Sequence, residues 1–200
     1  MLDNLLGITN EIELAKEEER LTKTRAMELW DQGIIERMEP GSIDTLFQIH
    51  HYVFQDVYSF AGHLRTVNLA KGNFRFAPVL FLESQLAIID TMPDNTWEEI
   101  VNKYVEVNVA HPFREGNGRS GRIWLDLLVE KRLTKRIAWE NISRDAYMEA
   151  MVRSPVNSTE LRVLLEDNLT TVTSTRSMFA RIVNVNYEYE GYSSYDANDL

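Results

Sequence analysis

The sequence contains no cysteine, which excludes disulfide frameworks, thiolate metal sites and a cysteine nucleophile together. Any chemistry must rest on histidine, carboxylates, hydroxyls or the backbone. Proline and glycine are sparse, 5 and 9 in 200 residues, so no flexible or Pro-rich linker divides the chain, and no internal repeat is present. Long apolar runs are missing too. The clearest, Ala77-Pro-Val-Leu-Phe-Leu82, falls far short of the ~20 residues that cross a bilayer. Met1-Leu-Asp-Asn-Leu-Leu-Gly7 lacks the basic and apolar regions of a secretory signal. These absences lead us to expect a cytoplasmic protein with no membrane partner. Positive charge is also in deficit, with Lys plus Arg at 21 against Asp plus Glu at 31 and a net charge of -10. Such a surface repels polyanions, so nucleic acid is not an expected partner.

What is present fits one compact domain: 44% hydrophobic and 26% charged residues is an ordinary globular balance. Helical spacing dominates. Residues 9–31 carry Ile12, Leu14, Leu21, Met27, Leu29 and Trp30 on a charged surface, with Thr9 or Asn10 as cap. After Pro40-Gly41-Ser42, residues 43–57 place Ile43, Leu46, Phe47, His50 and Phe54 on one stripe. Helical patterns recur at 79–91, 96–109, 117–133, 143–153, 158–167 and 175–190. The segment 117–133 is apolar nearly all round, as a central bundle helix would be. Between Leu64 and Phe76, alternation around Lys71-Gly72-Asn73 predicts a β-hairpin. The tail after Gly191 is expected to fray. The fold class is therefore mostly α, a helical bundle with one small hairpin.

The informative stretch is His111-Pro-Phe-Arg-Glu-Gly-Asn-Gly-Arg-Ser-Gly-Arg122, a loop whose second half opens the central helix. Gly116-Asn117-Gly118 can turn backbone N–H groups inward at a helix N-terminus, which makes an anion nest. Arg119 and Arg122, three apart, share a helix face and can grip neighbouring phosphates. Glu115 is a hard oxygen ligand suited to Mg²⁺ shared with substrate phosphates. His111 is the candidate base, with an ordinary pKa near neutrality. Base, metal ligand, nest and clamps inside one short span make up a phosphoryl-type transfer site.

This stretch resembles the signature of the Fic family, His-x-Phe-x-(Asp/Glu)-Gly-Asn-Gly-Arg-x-x-Arg, at every fixed position. Tyr58-Ser-Phe-Ala-Gly-His-Leu-Arg65 and Lys71-Gly-Asn-Phe-Arg-Phe76 are similar to the family's aromatic-Ala-Gly…Arg segment and flap hairpin. The resemblance implies a Fic-type helical bundle that moves AMP from ATP to a Tyr, Ser or Thr hydroxyl of a target protein, releasing pyrophosphate. It implies that His111 removes the hydroxyl proton and that Glu115 holds Mg²⁺ between the α- and β-phosphates. Asn117 and the amides of Gly116 and Gly118 would bind phosphate oxygens, with Arg119 and Arg122 on the β- and γ-phosphates and Phe113 packed inside. The family branch that transfers the γ-phosphate has Lys where this chain has Gly118, which favours AMP transfer. The flap, Lys71, Gly72, Asn73, Phe74, Arg75 and Phe76, would hold an extended target segment by its strand edge, although Phe74 and Phe76 equally suit core packing.

Asn186-Tyr-Glu-Tyr-Glu190-Gly191 is similar to the inhibitory motif (Ser/Thr)-x-x-x-Glu-(Gly/Asn) on the C-terminal helix of one class of small Fic proteins, class III. Glu190 would then pair with Arg122 and exclude the γ-phosphate, and Asn186, in place of Ser or Thr, could hydrogen-bond Glu190. The chain thus divides into an N-terminal helical segment (1–42) packed on the core, a catalytic core (43–170), an inhibitory helix (171–191) and a flexible tail (192–200). An autoinhibited AMP transferase is the leading reading. Glu190-dependent removal of AMP is an alternative, and a non-catalytic nucleotide-binding module a weaker one. Self-modification at Tyr187, Tyr189, Tyr192 or Tyr195 and a homo-oligomer stay open.

Overall fold

A computed structural model describes residues 2–72, 74–171 and 175–200. Helix α1 (Glu11–Asp31) starts where the Asn10 side chain accepts the amides of Ile12 and Glu13, both at 3.0 Å. Acidic Glu11 and Glu13 then face the positive end of the helix dipole. Ser42 caps α2 (Ile43–Phe54) through the Thr45 amide. A capping box of Thr96 and Glu99 opens α4 (Trp97–Ala110), while α3 (Val79–Asp90) follows Pro78. Central helix α5 (Asn117–Leu133) packs against α2, α4 and the C-terminal helix. It buries Ile123, Trp124, Leu125, Leu127, Leu128 and Val129. That surround explains its all-round apolar pattern, and it holds the motif loop on a rigid support.

The hairpin is shorter than its sequence pattern suggests. Among the described residues it consists of β1 (Ala70–Lys71) and β2 (Phe74–Arg75), with Ala70 paired to Arg75 and Lys71 to Phe74. Asn73 lies outside the described residues. Upstream, Leu64 and Arg65 are drawn into the body by Arg65 instead of continuing the strand. A second antiparallel pair joins β3 (Lys135–Ile137) to β4 (Leu169–Thr171), with Ile137 opposite Leu169. Between them lie α6 (Arg144–Arg153), capped by Ser143, and α7 (Thr159–Glu166). The pair ties the end of α5 to the approach of α8 (Arg176–Glu188), capped by Thr175.

Two expectations at the C-terminus need correction. Helix α8 stops at Glu188, so Glu190 sits in the turn that closes on Gly191 (φ 89°) and not on the helix. The tail, expected to fray, is tied down instead. Glu19 on α1 accepts the amides of Ser194 at 2.8 Å and Tyr195 at 3.2 Å, and Lys23 donates to the Tyr195 carbonyl at 2.6 Å. Beyond that, Ala197 is buried and its amide reaches Asn184. Among the described residues no helix is long and apolar enough to cross a membrane.

Candidate active site

Helix α4 ends because His111 takes a left-handed conformation (φ 49°), which directs the chain into the motif loop. This is strained backbone for a residue with a Cβ, and Arg65 supports it. Buried Arg65 donates to the carbonyls of His111, Ala110, Val67 and Ala77, and its own amide donates to Pro112. The His111 imidazole is stacked under Phe76 of the flap, with centroids 3.7 Å apart at 15°. Its Nδ1 is buried and lies toward the Asn108 backbone without a well-aligned hydrogen bond. Burial pushes the His111 pKa down to about 4, helped by the charges of Arg65 and Lys71 and opposed by Asn108 and Glu190. The near-neutral value expected from sequence is thus corrected. The ring is neutral at pH 7, with a lone pair available to take a proton.

Gly116 (φ 79°) turns the loop into α5. A Cβ there would lie 2.5 Å from the Phe54 ring, so only glycine fits. Phe113 is fully buried between His50 and Phe47, as expected. Asn117, expected on phosphate, instead closes the loop on Phe113, accepting its amide at 2.9 Å and donating to its carbonyl at 2.7 Å. Glu115 has a side chain 46% exposed at the mouth of the cleft. Its Oε1 accepts the Gly116 amide at 2.9 Å and Arg119 Nη2 at 3.2 Å.

Both arginines expected on phosphates are held, Arg119 by Glu18 and Arg122 by Glu190, the partner that the resemblance implied for it. Arg119, 1% exposed, is 2.7 Å from Glu18 as an ion pair, and its guanidinium carbon lies 4.7 Å from the Phe54 centroid and 5.0 Å from that of Tyr192. Arg122 donates through Nη2 to Glu190 Oε1 at 2.6 Å and to the Asn186 carbonyl at 3.0 Å, and through Nε to Asn186 Oδ1. Asn186 therefore does not bond Glu190, as its spacing suggested. It grips Arg122, and its amide donates to the Arg119 carbonyl at 2.8 Å. Glu190 lies over the first turn of α5: a Cβ added to Gly118 would be 2.5 Å from Glu190 Oε1. Burial opposes ionisation of Glu190, but the charge and hydrogen bond of Arg122, with Arg119 and Lys71, outweigh it and hold the carboxyl below its ordinary value.

His111, Glu115, Gly118, Arg122, Glu190 and flap residue Phe76 line one cleft of about 960 Å³. That volume suits a nucleotide-sized ligand. Lys71 and Gly72 are exposed at its rim. Tyr187 and Tyr189 are buried, so neither offers a hydroxyl for modification. Sequence reading missed His50 and Arg65 as supports of the loop and Phe76 as the lid of the histidine. Arg65 did stand in a segment similar to the family pattern, whereas His50 looked like one member of an apolar stripe.

Residues 40–129 match the Fic/DOC family. Over 185 residues, 86% of its length, the chain is 31% identical to protein adenylyltransferase VbhT of Bartonella schoenbuchensis, of which it spans 38%. It is 27% identical over 161 residues to the probable protein adenylyltransferase Fic of Salmonella typhimurium, covering 75% of this chain and 78% of that one. In fold it is similar to the BepC protein of Bartonella tribocorum with bound AMPPNP, at a TM-score of 0.69 and 19% identity, over 86% of this chain and 94% of that one. The family match ends inside α5, after the last motif arginine, so it spans both helices and the loop that build the cleft. Residues 40–129 thus carry a Fic/DOC match, and along most of its length the chain is similar to proteins named protein adenylyltransferases.

Proposed function

We propose that the chain is an autoinhibited protein adenylyltransferase, which moves AMP from ATP to a Tyr, Ser or Thr hydroxyl of a target protein and releases pyrophosphate. The observation that carries this reading is the Glu190 carboxylate, bonded to Arg122 over the N-terminal turn of α5. A helix N-terminus beside a guanidinium is where a phosphate would sit. A carboxylate there competes for the same donors, and when it leaves, the donors become free. AMP transfer is supported by the neutral imidazole in the same cleft and by the relatives named protein adenylyltransferase.

In this reading His111 accepts the target hydroxyl proton as oxygen attacks the α-phosphorus, and pyrophosphate departs along the nest. Amides of Gly116 and Gly118 and the Arg122 guanidinium meet the phosphates. Arg119 is committed to Glu18, so its part is positive charge at short range and a hold on Glu115. No group of three His, Asp or Glu among the described residues could hold a cation alone. One half-exposed carboxylate suits Mg²⁺, an ion that keeps waters and shares substrate phosphates, so Glu115 fits as its protein ligand. Such a cation would neutralise charge on the transferring group. The flap edge would hold the target segment, and the site of action would be the cytoplasm.

The test is incubation of a lysate with α-labelled ATP and Mg²⁺, using the parent, Glu190→Gly and His111→Ala chains, followed by mass spectrometry for an added AMP group. The reading predicts label with Glu190→Gly, less with the parent and none with His111→Ala. Label loss from a pre-modified target that needs Glu190 would point to AMP removal instead.

A further inference from the structure

Beneath the motif loop, one side chain that does not face the cleft has both polar atoms committed to backbone. His50 on α2 is fully buried. Its Nε2 lies 2.9 Å from the Glu115 carbonyl oxygen, and the Gly62 amide donates to its Nδ1 at 2.8 Å. A carbonyl can only accept and an amide N–H only donate, so the ring is the neutral tautomer with its proton on Nε2. The imidazole stacks on Phe113 with centroids 3.7 Å apart at 12°, and Phe54 packs near it at 4.8 Å. It has little freedom to rotate or slide.

The consequence lies across the peptide plane. In a trans peptide the carbonyl and the following N–H point in opposite directions. Holding the Glu115 oxygen toward α2 therefore sends the Gly116 N–H away from α2, to the side where Glu115 Oε1 accepts it. Without that anchor the plane could turn, because glycine tolerates backbone angles that other residues do not. A turned plane would present a carbonyl oxygen where an anion needs a donor.

We propose that His50 is a positioning residue for the nucleotide: its Nε2–H bond to the Glu115 carbonyl holds the 115–116 peptide so that the Gly116 N–H faces the phosphates. The identity of the anion, a nucleoside triphosphate, rests on the adenylyltransferase reading. His50 touches no phosphate and acts only through this peptide.

The test compares His50→Gln with His50→Asn in the full Glu190→Gly chain. Both replacements remove the ring and its stacking. A glutamine amide nitrogen reaches the place of Nε2 and can donate to Glu115, whereas the shorter asparagine serves only Gly62. The readouts are ATP affinity with Mg²⁺ by calorimetry and the Gly116 amide resonance by NMR. We expect His50→Asn to weaken ATP by roughly tenfold and His50→Gln by no more than about twofold, as loss of one hydrogen bond would. The Gly116 signal should move in His50→Asn only. Equal ATP affinities in two folded variants would overturn the proposal. Should the Glu190→Gly chain itself fail to bind ATP, the adenylyltransferase reading falls, and the resonance alone decides: a Gly116 signal unmoved in His50→Asn rejects positioning. Should neither variant fold, the parent decides, since a His50 ring protonated on Nδ1 is incompatible with the bond to Glu115.

Discussion

A single imidazole, His111, must be neutral to accept a proton, and burial under Phe76 keeps it so at any pH well above about 4. Removing it as His111→Ala should lower AMP transfer by at least ~10²-fold. ATP affinity by calorimetry should change little, because the nest and Arg122 stay in place. Near-parental transfer would assign proton removal elsewhere. Burial has a second effect, on stability. Unfolded, His50 and His111 each take up a proton below about 6.5. Folded, His111 does so only near about 4 and His50 near about 3. Their contribution is complete above 6.5 and is lost as pH falls toward those values, since the unfolded chain then binds more protons. The slope is up to ~1.4 kcal/mol per pH unit for each group. Urea unfolding from pH 7 to 5 should show this fall, and His50→Gln a shallower one. Parallel curves would reject the assignment.

Elements divide by how local their information is. Caps are local signals: Asn10, named from sequence, and likewise Ser42, Thr96 and Ser143 are each bonded to a first-turn amide. The motif from His111 to Arg122 was legible because its groups are contiguous. The sheet of β3 and β4 was not, since each strand is three residues long and its partner lies more than thirty positions away. The tail was misjudged for a related reason. Its sequence, Tyr192-Ser-Ser-Tyr-Asp-Ala-Asn-Asp-Leu200, is polar, and its anchors are Glu19 and Lys23, whose helix looked like a solvated charged face. Both side chains are 1% exposed and lie 2.9 Å apart. Glu19→Ala would leave Lys23 buried without its anion, a loss of about 3–5 kcal/mol. Hydrogen exchange at the Ser194 and Tyr195 amides should accelerate as well. Protection equal to the parent's would mean that the tail is held by other contacts.

Across the whole molecule, the first and last helices meet at the motif. Helix α1 supplies Glu18 to Arg119 and anchors the tail, while the turn after α8 supplies Glu190 to Arg122. Helix α1 and the segment after α8 thus each supply a carboxylate to one of the two motif arginines. Most substitutions lower activity, yet Glu190→Gly should raise AMP transfer, because it frees Arg122 and the first turn of α5 together. The buried Arg122 guanidinium keeps two bonds to Asn186 and so has its orientation retained. Arg122→Ala should not mimic the activation, since it removes a phosphate donor along with the inhibitory partner. The double variant should then transfer no better than Arg122→Ala, the non-additivity expected of residues that share one interaction. Initial rates with labelled ATP at equal Mg²⁺ in the four chains check this. A double variant as active as Glu190→Gly would show that Arg122 serves only to hold the carboxylate. An unchanged rate in Glu190→Gly would show that the carboxylate does not compete with the nucleotide.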